Sequence, residues 1–211
     1  MIRRSLWAFA LSAFCVAAQG RDRPGEFDYW LLALSWSPQY CANQGADPQC
    51  VYPHNFVVHG LWPQYERGFP DFCQRTDPVP RDLVTRLLPL MPSENLIQHQ
   101  WRKHGSCSGL DVKEYALQVE RARRSIVVPP AYSNPETHLR TSVREIEATF
   151  IAENPQLSAE SLAVQCSGRW LREVRVCLDI EFQPRACGRD VDDRCGADVM
   201  MRPNRKPRAA P

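Results

Sequence analysis

Three features that often classify a protein are missing from this sequence. It has no run of about 20 consecutive apolar residues, no Cys-x-x-Cys pair and no internal repeat. These absences argue against an ordinary membrane-spanning helix, the commonest zinc sites and the repeat folds. No Asn-x-Ser/Thr sequon is present either. The apolar content of 44% and the charged content of 24% are those of an ordinary globular protein.

The beginning of the chain has the layout of a secretory signal. Two arginines precede an apolar run over residues 6–18, and small residues follow. We therefore expect a signal peptide at 1–20, a single domain at 21–198 and a basic, proline-rich tail at 199–211 that is disordered. This organisation predicts an exported protein, periplasmic or extracellular, that has no membrane contact.

An excess of positive charge is missing as well. The chain has 26 Lys and Arg against 24 Asp and Glu, and loss of the signal would remove two arginines, so the mature charges balance. Four further basic residues lie in the tail from Arg202 onward, which leaves residues 21–201 with a net charge of −4. A general polyelectrolyte binder has the opposite balance. A nucleic-acid partner would have to be bound at a local site.

The cysteines indicate disulfides. Nine are present, and one of them, Cys15, falls in the signal. An even set of eight after a signal peptide is typical of four bridges formed in an oxidising compartment. Metal ligation is the alternative, and the spacing does not favour it. Eight cysteines allow 105 pairings, and the spacing alone does not choose among them.

The apolar pattern predicts an α+β fold. Residues 29–36 are continuously apolar, as in a strand buried on both faces, and residues 55–61 are short and β-branched. Residues 174–182 alternate, as in a strand with one buried face. The predicted helices are Ser93 to Gly105, with the glycine in a left-handed position, Asp111 to about Val127, and Ser142 to just before Asn154. This order predicts a largely antiparallel central sheet flanked by helices and stapled by disulfides.

Two short segments contain three of the five histidines. They are FVVHGLWPQ (Phe56–Gln64) and HQWRKHGSC (His99–Cys107). On a helix, Gln100 and His104 share one face, and His99 and Lys103 share an adjacent one. If His59 faces this turn, the site contains an acid, a base and an anion stabiliser.

Less specific interpretations of the same histidines remain open. A lone His59 is more often a hydrogen-bonded core residue, and His99 and His104 could be surface residues near a helix C-terminus. A zinc site formed by the three histidines is a more specific alternative. However, histidines five apart on a helix point about 140° away from each other, and Lys103 would repel a cation. We therefore expect no metal and no other cofactor.

The two histidine segments resemble the active-site segments of the ribonuclease T2 family. The members of this family are secreted acid endoribonucleases. FDYWLLALSWSPQYC (Phe27–Cys41) resembles the opening strand of that family, and the late cysteines resemble its C-terminal arrangement. The similarity spans most of residues 27–198. It implies a metal-independent endoribonuclease that acts on single-stranded RNA and yields 2′,3′-cyclic phosphates, then 3′-phosphates. We expect a monomer that does not cleave DNA, because DNA lacks the 2′-oxygen.

The resemblance implies a role for each residue by position. His59 would protonate the leaving 5′-oxygen, and His104 would take the proton from the 2′-hydroxyl. His99 would hold the phosphate, and Lys103 would stabilise charge on its oxygens. In-line attack needs such a base, acid and cation, so the chemistry agrees with this assignment.

Gln100 departs from the family pattern, which usually has an acidic residue at this position. An amide can donate a hydrogen bond to phosphate but carries no negative charge. The alternative function is therefore a catalytically weakened or silent secreted RNA-binding protein. From the sequence we expect a rate profile nearer neutrality than that of an acid ribonuclease, and a shift towards acid on Gln100→Glu.

The resemblance also implies residues that bind the bases. Trp62 would stack a base, Gln64 would read it, and a loop with Pro92, Ser93 and Asn95 would receive the base on the other side of the scissile phosphate. A core tryptophan and a plain helix-capping turn are the alternative interpretations.

The same resemblance implies the disulfide pairing. Three bridges follow the family pattern, and Cys41–Cys50 is left as a local pair. The implied family bridges are Cys73–Cys107, Cys166–Cys195 and Cys177–Cys187.

Overall fold

The structure is a computed structural model that describes residues 22–44 and 47–204. Within those ranges, six strands form one open sheet, in the order β2-β1-β5-β6-β3, and β4 pairs with β5. Every pairing is antiparallel except the single β5–β6 contact. The predicted α+β class is confirmed. The strands are β1 Tyr29–Trp36, β2 Phe56–Gln64, β3 Leu139–Thr141, β4 Leu162–Ser167, β5 Trp170–Leu178 and β6 Val199–Met201.

Five α-helices accompany this sheet in the described residues. They are α1 Ser37–Asn43, α2 Arg81–Leu87, α3 Glu94–Lys103, α4 Val112–Arg124 and α5 Val143–Glu153. The capping box of Asp111 and Glu114 is present, and Ser142 accepts from the backbone N–H of Glu145. Ser93 precedes α3 with extended backbone, but its side chain makes no capping hydrogen bond.

Gly105 was predicted as a left-handed helix end, and this was wrong. Gly105 opens a 3₁₀ turn over Gly105–Cys107, and His104 caps α3 in right-handed conformation. A Cβ at Gly105 would overlap the indole of Trp101. The glycine therefore allows close packing here rather than an unusual backbone angle.

Strand β1 separates two apolar clusters. Trp30, Leu32, Leu34 and Trp36 face the main core, which includes residues of helices α2 to α5. The intervening residues of β1, over 29–33, face a smaller cluster on the other side of the sheet. Burial on both faces explains the continuous apolar sequence of this strand. Leu31 on this second face lines one of the clefts described below.

The predicted strand over 174–182 differs from the observed one. Strand β5 ends at Leu178, because the Asp179 side chain accepts from the backbone of Glu181 and Gln183 and turns the chain. Ile180 is consequently 58% exposed. Glu173 and Cys177 are buried on the face opposite Val174 and Val176, so the expectation of a single buried face was also wrong.

The predicted disordered tail begins too early. Residues 199–201 form β6, which pairs with β3, and Val199 and Met201 are fully buried. Arg202 continues this contact: its Nε donates to Oε1 of Gln39, and its carbonyl accepts from Nε1 of Trp36. The domain therefore extends beyond residue 198. The predicted signal at 1–20 and residues 205–211 lie outside the described residues.

All four implied disulfides are confirmed. They are Cys41–Cys50, Cys73–Cys107, Cys166–Cys195 and Cys177–Cys187. The Cys73–Cys107 bridge joins the long loop after β2 to the turn that follows α3. Among the residues described, every helix is too short or too polar to cross a membrane.

Candidate active site

The two histidine segments meet where β2 lies beside the C-terminal end of α3. A cleft of about 250 Å³ opens at this point. It brings together seven of the predicted site residues and three further ones. Its lining is Leu31, His59, Trp62, Gln64, Phe69, His99, Gln100, Lys103, His104 and Arg175.

His59 reaches the cleft because β2 contains a β-bulge. Ala33 of β1 pairs with Gly60 and Leu34 pairs with Val58, so His59 is the extra residue between them. A bulge re-aims a side chain that strict alternation would direct elsewhere. Gly60 is also required by contact, since a Cβ there would overlap Trp62 and Gln100.

His59 is held by a buried carboxylate. Its Nδ1 lies 2.7 Å from Oε2 of Glu173, whose side chain is 2% exposed, and the other carboxylate oxygen accepts from Nε of Arg175 at 2.7 Å. Burial raises the pKa of Glu173, but the hydrogen bond and charge of His59, together with Arg175, outweigh it and lower that pKa to about 2. Glu173 is therefore ionised, and Nε2 of His59 remains for the cleft.

His104 has a different environment. Its residue exposure is 5%, and its Nδ1 is buried without a hydrogen-bond partner in the described residues. Burial, followed by the charges of Lys103, His59 and His99, lowers the pKa of His104 to about 3. The imidazole is therefore neutral at ordinary pH, because a charged ring would bury an unpaired donor.

His99 and Lys103 add a third imidazole and an ammonium group to the cleft. His99 is exposed on α3, and Lys103 closes the helix. Burial, then the charges of Lys103, Arg102 and His59, lower the pKa of His99. The cationic groups thus repel one another, and a bound anion would relieve that repulsion.

Trp62 links the two catalytic candidates. Its Nε1 donates to Oε1 of Gln100 at 2.7 Å, and its ring stacks on His104 with centroids 5.0 Å apart. The edge of the same ring meets His59 at 5.2 Å, and the Arg175 guanidinium lies 5.4 Å from its centroid. Gln100 is therefore placed to fix Trp62, which in turn packs against both histidines.

The predicted base-binding residues divide into two groups. Gln64 lines the cleft, and its Nε2 donates to the carbonyl of Pro63. Ser93 lines a neighbouring cleft of about 340 Å³ that also includes His59, and its Oγ is buried without a partner among the described atoms. Pro92 and Asn95 line neither of these two clefts.

Three residues of the site were missed from the sequence. Phe69 is 47% exposed, and its ring lies 5.5 Å from Nζ of Lys103. Arg175 lies in the stretch over 174–182 that the sequence predicts to alternate, and Glu173 immediately precedes that stretch. The signal for Glu173 is a carboxylate inside an apolar strand. Its partner His59 is 114 residues away.

Comparison with known proteins gives a consistent classification. The chain matches the ribonuclease T2 family over residues 27–187. It is 36% identical to a ribonuclease of Aeromonas hydrophila, with 80% of this chain and 79% of that protein aligned. Ribonuclease 1 of Arabidopsis thaliana is 29% identical, with 89% and 94% aligned.

A solved structure shares the fold. It is a variant of ribonuclease MC1, from bitter gourd seeds, in complex with 5′-UMP. It is 21% identical and superposes with a TM-score of 0.65, over 82% of this chain and 98% of that one. The family match and the named ribonuclease relatives define the class of the protein as an endoribonuclease. The family match covers most of the sequence, and the chain belongs to the ribonuclease T2 family.

Proposed function

We propose that this endoribonuclease cleaves single-stranded RNA by attack of a 2′-oxygen on the adjacent phosphorus. The products would be 2′,3′-cyclic phosphates, which the enzyme then hydrolyses more slowly to 3′-phosphates. The observation that carries the proposal is that two histidines of one cleft have opposite electrostatic surroundings. His59 has an ionised carboxylate beside it, whereas His104 is buried among cationic groups. Such a pair suits an acid and a base.

His104 is the proposed base. Its lowered pKa keeps the ring unprotonated, so it can accept the proton of the 2′-hydroxyl. His59 is the proposed acid. Glu173 accepts from Nδ1 of His59, which leaves Nε2 to donate a proton to the departing 5′-oxygen.

His99 and Lys103 are the proposed phosphate ligands. Both line the cleft that contains the two other histidines, and both can donate to the non-bridging oxygens as negative charge develops there. Gln100 acts through Trp62 and can donate its amide to the same phosphate. This scheme uses only side chains, so it needs no metal or other cofactor.

The proposed substrate contacts come from this cleft, from the neighbouring cleft that contains Ser93, and from the residues adjacent to Ser93. We infer that Trp62 and Gln64 contact the base on one side of the scissile phosphate. Ser93, with the adjacent Pro92 and Asn95, contacts the base on the other side. DNA is not cleaved, because it lacks the nucleophile. We further propose that the protein is exported and acts as a monomer, and the four disulfides are consistent with secretion.

The proposal is tested by incubating the purified mature protein with single-stranded RNA and a chelator. Fragments that end in cyclic phosphate support the enzyme. Intact RNA that is nevertheless retained by the protein would favour the silent-binder alternative.

Glu173→Gln tests how His59 is held. Glutamine keeps a hydrogen-bond acceptor but removes the charge that faces His59 and Arg175, so we expect kcat on RNA to fall roughly ten- to a hundredfold. Glu173 would act through His59, the proposed acid. The loss of kcat should therefore be smaller on a substrate whose leaving group needs no proton, such as a uridine 3′-nitrophenyl phosphate. The matched control is Glu181→Gln, an exposed glutamate just beyond the same strand. An equal defect on both substrates would contradict this role.

Gln100→Glu tests the electrostatics of His104. With a pKa of about 3 for His104, we expect the acid limb of the wild-type kcat/KM profile at low pH, whereas the sequence analysis expected a profile near neutrality. A carboxylate at residue 100 would raise the pKa of His104, and the two groups would titrate together. A base must be unprotonated, so the acid limb should move to higher pH, the reverse of the shift expected from the sequence.

The measurement is a pH series of initial rates for wild type, Gln100→Glu and the remote control Gln156→Glu. Superimposed profiles for wild type and Gln100→Glu would place residue 100 outside the catalytic electrostatics. A shift for the control as well would indicate a general charge effect.

A further inference from the structure

A third cleft adjoins the catalytic one. It has a volume of about 420 Å³ and shares Gln64, Phe69 and Arg175 with the catalytic cleft, so the two are continuous. Arg172 and Arg194 line the third cleft but not the catalytic one, and Arg172 also lines the neighbouring cleft of about 340 Å³. The remaining lining residues are Gln165, Cys166, Asp190 and Val191.

Arginine is concentrated in this cleft beyond what the composition predicts. Three guanidinium groups face one carboxylate, Asp190, whose Oδ2 already accepts from the backbone N–H of Gly68 at 2.8 Å. Residues 21–201 have a net negative charge, so the cluster does not reflect a generally basic surface. Within the described residues, neither Arg172 nor Arg194 forms an ion pair, whereas Arg175 is paired with Glu173.

A second β-bulge directs Arg172 into the cleft. On β5, Leu171 pairs with Cys166 and Glu173 pairs with Gln165, so Arg172 is the extra residue. Leu171 faces the main core, while Arg172 and Glu173 both lie on the opposite face of the strand, where Arg172 lines the third cleft and both residues line the neighbouring cleft of about 340 Å³. Strict alternation would have placed Arg172 and Glu173 on opposite faces.

Arg194 is anchored along the edge of β4. Its backbone N–H donates to the carbonyl of Val164 at 2.8 Å, and its carbonyl accepts from Cys166 at 3.2 Å. The neighbouring Cys166–Cys195 bridge joins this segment to β4. The two unpaired arginines thus project from backbone that the sheet and a disulfide hold in place.

We propose that Arg172 and Arg194 form a binding site for a non-scissile phosphate of the RNA chain. Guanidinium groups bind phosphate through paired N–H donors, and this site is continuous with the cleft that would hold the reacting phosphate. The inference rests on the proposed function, and it adds that the enzyme favours polyribonucleotides over dinucleotides. Arg175 is shared between the two sites but is committed to Glu173.

The test compares two substrates with the double variant Arg172→Ala/Arg194→Ala. A dinucleoside monophosphate has only the scissile phosphate, whereas a hexanucleotide has flanking ones. We expect kcat/KM on the hexanucleotide to fall about tenfold or more, and its logarithmic salt dependence to weaken by about 0.7 for each phosphate that the variant no longer binds. The rate on the dinucleoside monophosphate should stay within about twofold of wild type, since it has no phosphate for this site.

The control is Lys113→Ala/Arg144→Ala, which removes two positive charges from exposed positions on α4 and α5. Equal losses on both substrates, no loss on either, or the same hexanucleotide loss in the control would each overturn the proposal.

If the wild type cleaves neither substrate, the proposed function fails, and the site is tested by binding instead. A 2′-deoxy hexanucleotide should then bind the wild type more tightly than the arginine variant. Equal binding would overturn the phosphate site.

Discussion

His59→Ala and His104→Ala are each expected to lower kcat on RNA by about 10²- to 10⁴-fold, the usual effect of removing a general acid or base. Both histidines line one cleft and are joined through Trp62. His59 is half exposed, and the bulge holds its backbone, so the fold should tolerate alanine. Circular dichroism and thermal unfolding of each variant check this point.

The two variants should differ when the leaving group changes. A nitrophenolate leaves without a proton, so a uridine 3′-nitrophenyl phosphate should restore most of the rate to His59→Ala. The same substrate should not restore the rate of His104→Ala, because the 2′-hydroxyl still has to lose its proton to a base. Glu173→Gln should follow the behaviour of His59→Ala.

His138→Ala is the matched control, because this exposed histidine lines none of the three clefts. It should retain wild-type rates on both substrates. Near-normal turnover of a folded His59→Ala or His104→Ala variant would remove that histidine from the mechanism. Restoration of His104→Ala alone would reverse the two roles.

Full reduction of the disulfides is expected to unfold the protein under otherwise native conditions. The bridges of sequence separation 34 and 29 close loops worth roughly 3–4 kcal/mol each by chain entropy, and the two shorter ones somewhat less. A folded domain typically has a free energy of unfolding of about 5–15 kcal/mol. The summed contribution of the four bridges is comparable with that value. The reduced chain should therefore lose its cooperative transition.

The measurement is denaturant unfolding with and without a thiol reductant, together with thiol titration of the unfolded, unreduced mature protein. No free thiol is expected before reduction. Several free thiols, or an unchanged midpoint after complete reduction, would contradict the account. Cys73→Ser/Cys107→Ser should additionally reduce activity, since this bridge holds the turn after α3 that carries His104.

Local patterns in the sequence were sufficient for the main elements of the fold. The apolar run of β1, the capping residues of α4 and α5, and the helical spacing of His99, Lys103 and His104 all depend on neighbours within a few residues. The sequence analysis made the meeting of the two histidine segments a condition of the site, and the structure brings both segments into one cleft. The disulfide pairing, by contrast, came from resemblance, because spacing alone does not determine it.

The parts that were missed depend on long-range packing. The bulges at His59 and Arg172 are properties of strand register, which no single segment encodes. Glu173 becomes a partner of His59 only because β1 lies between β2 and β5. Strand β6 has only three residues, which is too short for an alternating pattern to be recognised in the sequence. Its burial depends on pairing with β3.

The most direct test of the proposed chemistry uses a DNA oligonucleotide that contains one ribonucleotide, incubated with the mature protein in excess chelator. The account predicts a single cut on the 3′ side of the ribonucleotide, with a 2′,3′-cyclic phosphate on one fragment and a free 5′-hydroxyl on the other, read by mass spectrometry. A 2′-O-methyl group at that position should abolish the cut. Cleavage at deoxynucleotides, a 5′-phosphate end, or activity only after a divalent metal is restored would contradict it.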